Sequence, residues 1–430
     1  MPETGQVDGA PEGSVHGLVE HLFRHQAGRL VAALVRSFGS QHLQLAEEVV
    51  QEALIAALKS WPFSGVPQNP AGWLHQVARN RALDRLRRDT RFRGKEQQIR
   101  ERMELFTEPG DAGLAGEVTD DQLRLVFLCC HPELPRDGRI ALTLKLVGGF
   151  SIDEIARAFF AKRSTIAQRL VRAQQRVRDH ALKLELPPPS ELPTRLEAVL
   201  EAIYLIFNEG YVAHRGDALI RSDLCNEALR LVGHLASIPA LALPSVHALA
   251  ALLHFQASRQ DARVDSEGEL IPLDEQDRSL WNRPSIRQGF RHLELAATGD
   301  VLTAYHLEAG IASMHASAAT EANTDWPMIL ELYDDLQRLA PSPVVQLNRA
   351  VAVARVRGPL LALAELDGLA DSKLADYHLL HATRGDLLAQ LGENEAAARA
   401  FAAAIRHAPT SPERRFLERR LDAVSVGSVS

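Results

Sequence analysis

Residues Ser151 to Arg178, SIDEIARAFFAKRSTIAQRLVRAQQRVR, read as two helices with a tight joint between them. Ser151 and Glu154 form the pattern of a capping box, in which the hydroxyl bonds a free amide of the first turn and the carboxylate reaches back. Ile152, Ile155, Ala156 and Phe159 then recur at helical spacing. Phe160-Ala161-Lys162-Arg163 makes the joint. A second helix follows with Ile166, Leu170, Ala173 and Val177 as its apolar stripe, while Arg163, Ser164, Thr165, Gln168, Arg169, Arg172 and Arg176 occupy the other faces. Arg and Gln bond base edges, and hydroxyls with further Arg hold phosphates, so this helix is suited to a DNA major groove. The rival reading of the same pattern is a solvated basic surface helix, and the rest of the chain decides between them.

Working outward, 430 residues suffice for two or three domains, each with its own core. Ala and Leu are abundant and long runs of Val, Ile and Thr are missing, so the expected class is all-α. No apolar run approaches the roughly 20 residues that span a bilayer. The opening MPETGQVDGAPEGS is acidic and Gly/Pro-rich, which reads as a disordered tail over 1–14 and not as a signal peptide, so a cytoplasmic protein with no membrane contact is expected. Cys129, Cys130 and Cys225 give no disulfide framework, and no CxxC or HExxH motif occurs; buried thiols and no metal or cofactor are expected.

The net charge of −7 conceals two basic islands: residues 79–102 carry +6, residues 157–183 carry +7, and the remainder carries −20. Each island can draw phosphates by counterion release, and the acidic remainder suppresses indiscriminate binding.

A helix is expected over about Val15–Phe38, and another over Leu43–Trp61, with Leu45, Val49, Ala53, Leu54, Ala57 and Leu58 facing a core. Glu47, Glu48, Gln51 and Glu52 form an acidic, amide-bearing face, either solvated or a docking surface for a basic partner helix. The loop PFSGVPQNP cannot continue the helix. In AGWLHQVARNRALDRLRRDTRFR, Trp73, Leu74, Val77, Leu83 and Leu86 fall on one stripe. Asn80, Arg81, Asp84, Arg87, Arg88 and Arg91 lie largely on the others. Trp73 reads as core because it lies on the stripe. Residues 96–121, ending in TEPGDAGLAGEVTDD, read as a flexible linker. Helices over Gln122–Cys130 and Pro135–Val147 then support the helix-turn-helix.

Taken together, LAEEVVQEALIAALKSW, NPAGWLHQVARNRALDRLRR and the helix-turn-helix resemble the extracytoplasmic-function group of bacterial RNA polymerase sigma factors, over about Val15 to Leu184. The resemblance implies a region 2-like domain at 15–95 and a region 4-like domain at 122–184. It implies that Glu48, Gln51 and Glu52 lie on a polymerase-docking helix. Asn80, Asp84, Arg87 and Arg88 would meet the melted minus-ten strand, with the Phe63–Asn69 loop forming part of a base pocket. Arg163, Ser164, Thr165, Gln168, Arg169 and Arg172 would face the minus-thirty-five element. The chain departs from the family pattern at Leu45 and Glu48 on the docking helix, and at Phe160 and Lys162 in the joint.

Pro187-Pro188-Pro189 lies in a stiff linker, 185–194, beyond which the chain continues as a helical extension over 195–430. Helices are expected near 195–214, 224–235, 241–256 and 287–298. Asp274, Glu275, Asp277 and Arg278 in the segment SEGELIPLDEQDRSLWNRP read as a salt-bridged loop or, less simply, a carboxylate site. LGENEAAARAFAAAIRHAP has the spacing of a tetratricopeptide unit, and Gly392 follows Gly358 by 34 residues, the period of that repeat, within 345–410. IYLIFNEGY, DEQDRSLWNR and SPVVQLNRAVAVA resemble the sigma subgroup with a tetratricopeptide-like extension.

These readings converge on a non-enzymatic sigma factor whose partners are core RNA polymerase, promoter DNA, and a regulatory protein or peptide at the extension. A helix-turn-helix regulator that replaces no sigma factor is the alternative. A hydrolase or transferase within 195–340 is disfavoured by the missing nucleophile-base constellation.

Overall fold

The capping box forms as the spacing predicts. Ser151 Oγ accepts from the Glu154 amide at 3.1 Å, and Glu154 Oε2 accepts from the Ser151 amide at 2.7 Å. The structure, a computed structural model, describes residues 26–93, 114–159, 161–211, 222–265, 269–369 and 374–426. Among the described residues every regular element is a helix, apart from an isolated bridge between Val264 and Leu270. The all-α class is therefore correct. The expected tail at 1–14, the first part of the Val15–Phe38 helix, the end of the region 2-like domain at 94–95 and the linker residues 96–113 lie outside the described residues. Two compact units divide the chain, Met1–Ala202 and Ile203–Ser430.

In the first unit, α1 (26–38) leads through a short turn to α2 (Leu43–Ser64). Gly65, at φ 77°, ends α2 in a conformation that other residues adopt only under strain. The buried stripe of α2 is Leu43, Ala46, Val49, Val50, Ala53, Leu54, Ala57 and Trp61. Leu45 and Leu58, expected in the core, are half-buried, because the stripe is rotated by one position toward Ala46 and Val50. Asn69 Oδ1 accepts from the Gly72 amide at 2.9 Å at the start of α3 (Pro70–Arg93). Trp73 meets the buried Trp61 edge-on at 5.4 Å, which places it in packing rather than on a base-stacking face.

A further helix, α4, spans Leu114–Cys129. It starts well before Gln122, so the expected flexible linker is corrected: its last residues, through Asp121, are helical. Composition misled here because Gly and Asp are common in loops and disfavour helix. Asp121 is 1% exposed and held by Arg36 at 3.2 Å and Arg124 at 3.4 Å. Helix α5 (Arg136–Leu142) continues into a π-turn, Thr143–Val147, and Gly149 at φ 70° redirects the chain. Then come α6 (Ile152–Ala158), α7 (Arg163–Asp179) and α8 (Leu192–Tyr211). Phe160, in the joint between α6 and α7, lies outside the described residues.

The second unit contains α9 (Ser222–Ser237), α10 (Pro244–Ala257), α11 (Arg283–Ala296) and α12 (Ala304–Ser317). Consecutive helix hairpins follow: α13 (Trp326–Leu339), α14 (Pro343–Arg357), α15 (Pro359–Asp367), α16 (His378–Gln390), α17 (Asn394–His407) and α18 (Ser411–Val426). Gly358 and Gly392 both sit at hairpin turns with positive φ, 93° and 78°, so the 34-residue spacing marks equivalent turns. A Cβ at Gly385 would come within 2.8 Å of the buried Phe401 ring, and this close approach lets α16 and α17 pack.

Several histidines are held neutral by this packing. Burial, then the neighbouring His254 and His247, push His292 down to about 4. Burial pushes His131 to about 4 and His315 to about 3. Unfolded, each regains its ordinary value of 6.5 and binds more protons than the fold does. Their contribution to stability is therefore complete above about pH 6.5 and is lost as pH falls toward 4. Thermal unfolding is expected to shift down by roughly 4 °C or more between pH 7 and pH 4.5, and His292→Phe is expected to reduce that fall. A melting temperature independent of pH over this window would contradict the assignment.

Candidate nucleic-acid interface

Helix α7 buries one stripe and presents the opposite one. Ile166 (1% exposed), Leu170 (5%), Ala173 (1%) and Val177 (1%) form the inner face, packed on α5. A Cβ at Gly138 of α5 would stand 3.2 Å from Ala173 Cβ, so the two helices pack closely there. Arg163, Ser164, Gln168 and Arg172 are exposed, and Thr165 and Arg169 are half-buried. Two of the arginines are engaged within the chain: Arg163 with Asp153 at 3.0 Å and Arg169 with Asp137 at 3.0 Å. Such partly exposed pairs are worth only about 0–1 kcal/mol, so they hold the two guanidinium groups loosely. The sequence reading passed over Val171, which is 59% exposed between Leu170 and Arg172. Its signal was an apolar residue off the stripe of a basic helix.

On α3, Asn80, Asp84, Arg87 and Arg88 are all exposed and share a helical face, which their three- and four-residue spacing dictates. Asn80 Oδ1 accepts from Gln76 Nε2 at 3.1 Å. Helix α2 runs on through Pro62 to Ser64, one turn beyond the expected stop, so Phe63, 91% exposed, stands on its last turn and Val66, 40% exposed, in the loop that follows.

The acidic face of α2 is occupied inside the chain. Glu48 pairs with Arg85 at 2.6 Å; Glu52 pairs with Arg81 at 3.1 Å and with Arg85. Gln51 is half-buried and donates to Glu47 Oε1 at 3.1 Å. Glu47 itself links the two halves of the unit: Lys145 Nζ of the π-turn stands 3.4 Å away and Gln174 Nε2 of α7 donates at 2.9 Å. Lys145 is nearly fully buried, its side chain 5% exposed. Nearby, a Cβ at Gly28 of α1 would stand 2.9 Å from the carbonyls of Leu146 and Val147, so the α1 backbone rests on the π-turn. Ser40 also bonds the carbonyl of Leu182. Helices α1 and α2 are thereby closed against the π-turn and α7. Arg85, Arg88 and Arg178 line one cleft of about 430 Å³.

The thiols play no part in this surface. Cys129, Cys130 and Cys225 are buried, and burial raises Cys130 to about 11 and Cys225 to about 12. Among the described residues, no helix is long and apolar enough to cross a membrane.

Comparison with known proteins gives each part of the surface a counterpart. Residues 23–92 match sigma-70 region 2, residues 124–177 match sigma-70 region 4, and residues 195–297 match a family of unknown function, DUF6596. An uncharacterized protein, R00370, of Rhizobium meliloti (strain 1021) is 41% identical over 399 residues, spanning 92% of this chain and 93% of its own. The ECF RNA polymerase sigma factor SigE of Mycolicibacterium smegmatis is 31% identical over 170 residues, 38% of this chain and 62% of its own length. No solved structure matches. With sigma-70 regions 2 and 4 in order, each presenting a cationic helix, the chain is an ECF-like sigma-70 factor carrying a large helical extension.

Proposed function

We propose that this sigma factor binds core RNA polymerase through α2 and grips promoter DNA with α3 and α7. The observation that carries the reading is α7, whose inner stripe is buried while Ser164, Gln168 and Arg172 face outward on a cationic surface. In this reading Gln168 and Arg169 meet base edges of the minus-thirty-five element, and Arg163, Ser164, Thr165 and Arg172 hold its phosphates. The methyls of Val171 are suited to a thymine methyl. Asn80 and Asp84 meet unpaired bases of the minus-ten element, Arg87 and Arg88 its backbone, and the Phe63–Asn69 loop walls a base that has left the stack. Glu48, Gln51 and Glu52 exchange their internal partners for polymerase. Sigma factor families are not enzymes, and the chain makes or breaks no bond in this role. It acts in the cytoplasm, with the extension regulating it in response to a protein or peptide.

Sequencing the DNA retained by reconstituted holoenzyme tests this directly. A bipartite motif is expected, with its two blocks separated by a fixed spacer. A single block, or enrichment requiring a second sigma factor, would favour a helix-turn-helix regulator instead.

A further inference from the structure

The first helices of successive hairpins in the extension, α14, α16 and α18, contribute to one shared surface. Ala354 and Arg355, Asp386 and Leu387, and Phe416 and Arg420 line a cavity of about 250 Å³ on it. Part of that surface is covered by the chain's own segment Glu269–Asp277, ELIPLDEQD, which is almost devoid of regular structure. Its acidic residues meet arginines of the hairpins. Glu269 is gripped by Arg415 and Arg419 of α18, and Asp274 lies 3.0 Å from Arg355 of α14. Arg355 is further oriented by Glu321 at 3.3 Å and by the face of Trp326 at 5.3 Å.

The two ends of this segment are held very differently. Arg278 is buried and donates to the carbonyls of His315 and Ala318, both at 2.8 Å, and to Thr324 Oγ1 at 3.0 Å. Gln276 is buried as well, donating to the Ile271 carbonyl at 3.1 Å. From Glu269 to Glu275, by contrast, no residue is buried. The arginines holding that stretch are 40–52% exposed, so water and salt screen each pair. The strap is thus anchored at one end by the buried Arg278 guanidinium and at the other by backbone hydrogen bonds, the Glu269 carbonyl accepting from the Asp265 amide at 3.0 Å and the Ile271 amide donating to the Arg263 carbonyl at 2.9 Å, while the stretch between, Pro272–Glu275, rests on the exposed Asp274–Arg355 pair and is free to lift.

We propose that the surface shared by α14 and α18 is a binding groove for an extended acidic segment of a partner protein, and that Glu269–Glu275 is a tethered stand-in for it. The partner segment carries carboxylates spaced to reach Arg355 and the Arg415–Arg419 pair, with aliphatic residues between, as Leu270, Ile271 and Leu273 stand between Glu269 and Asp274. Tethering gives the strap an effective concentration on the order of millimolar, so a free segment competes only when it binds more tightly or is itself concentrated. The inference names the chemistry of the regulatory partner and rests on the regulatory reading of the extension. Its test reads binding alone, so it fails or stands apart from any effect on transcription.

The experiment titrates a fluorescent peptide, ELIPLDEQD, with the full-length chain and reads anisotropy. The wild-type chain is expected to bind it weakly. The double variant E269K/D274K, whose strap no longer pairs, is expected to bind it at least tenfold more tightly. Adding R355E and R415E to that variant is expected to abolish the gain. Equal binding by wild type and E269K/D274K would overturn the proposal, as would undiminished binding after the arginine reversals. Competition by a single-stranded oligonucleotide as effective as unlabelled peptide would overturn it too, pointing to a phosphate-binding surface. Should the lysine variant fail to fold, E269Q/D274N serves in its place. Hydrogen exchange of the wild-type chain with excess peptide is then expected to speed up in Glu269–Glu275 only, and unchanged exchange there would count against displacement.

Discussion

Replacing Arg87 and Arg88 by alanine is expected to weaken holoenzyme binding to every promoter by a similar factor and to lower the salt slope by about two. Both side chains are exposed on α3, inside the island of residues 79–102 that carries +6. A guanidinium that meets a phosphate releases counterions and reads no sequence, so its loss is uniform. Gln168→Ala is expected to behave differently. An amide that bonds a base edge carries about 1–3 kcal/mol of discrimination, so preference at one position should fall by roughly 5- to 150-fold while other positions keep theirs. Affinity titrations against a promoter library at two or more salt concentrations separate the outcomes. A uniform loss from Gln168→Ala, or a position-specific loss from the arginine pair, would reverse the assigned roles.

The second large effect concerns the closure of the first unit. Glu47→Ala removes the carboxylate that accompanies the buried Lys145 and accepts from Gln174. Stranding one member of a buried ion pair costs about 3–5 kcal/mol when the pair stays closed. Separation of the two regions hydrates Lys145 and avoids that cost, so the variant is expected to shift toward an open arrangement. Dyes placed by S64C and Q175C, on exposed residues of α2 and α7, report it, because the native thiols are buried. A clear fall in energy transfer for Glu47→Ala is expected. Gly28→Val is expected to act in the same direction, since a side chain there meets the backbone of the π-turn. Unchanged transfer in both variants would show that these contacts do not hold the unit closed. Opening also bears on function, because Glu47 lies on the same helix as Glu48, Gln51 and Glu52.

How much of this was legible beforehand depends on how far apart the deciding residues lie. The capping box, the apolar stripe of α7 and the glycine turns at Gly358 and Gly392 are local patterns, and each shows in a window of a few turns. The start of α4 at Leu114 was hidden because Gly and Asp lower helix propensity, yet Asp121 is fixed by Arg36 from a remote helix. The acidic face of α2 was visible, but its internal partners were not. Glu47 meets Lys145 and Gln174, the latter 127 residues away, and no local pattern announces such a pairing. Arg278 shows the same limit. Beside Asp274, Glu275 and Asp277 it read as part of a salt-bridged loop, whereas it donates to carbonyls and a hydroxyl and Asp277 accepts from the Ser279 amide at 2.8 Å. Among the described residues, Asp274 of that group makes a bridge, to Arg355.

Run-off transcription with core RNA polymerase and this chain as the sole initiation factor tests the account most directly. Using a template taken from the retained DNA, a discrete transcript is expected, dependent on both promoter blocks and lost when either is scrambled. No transcript from any such template, with the chain folded and bound to core, would contradict it.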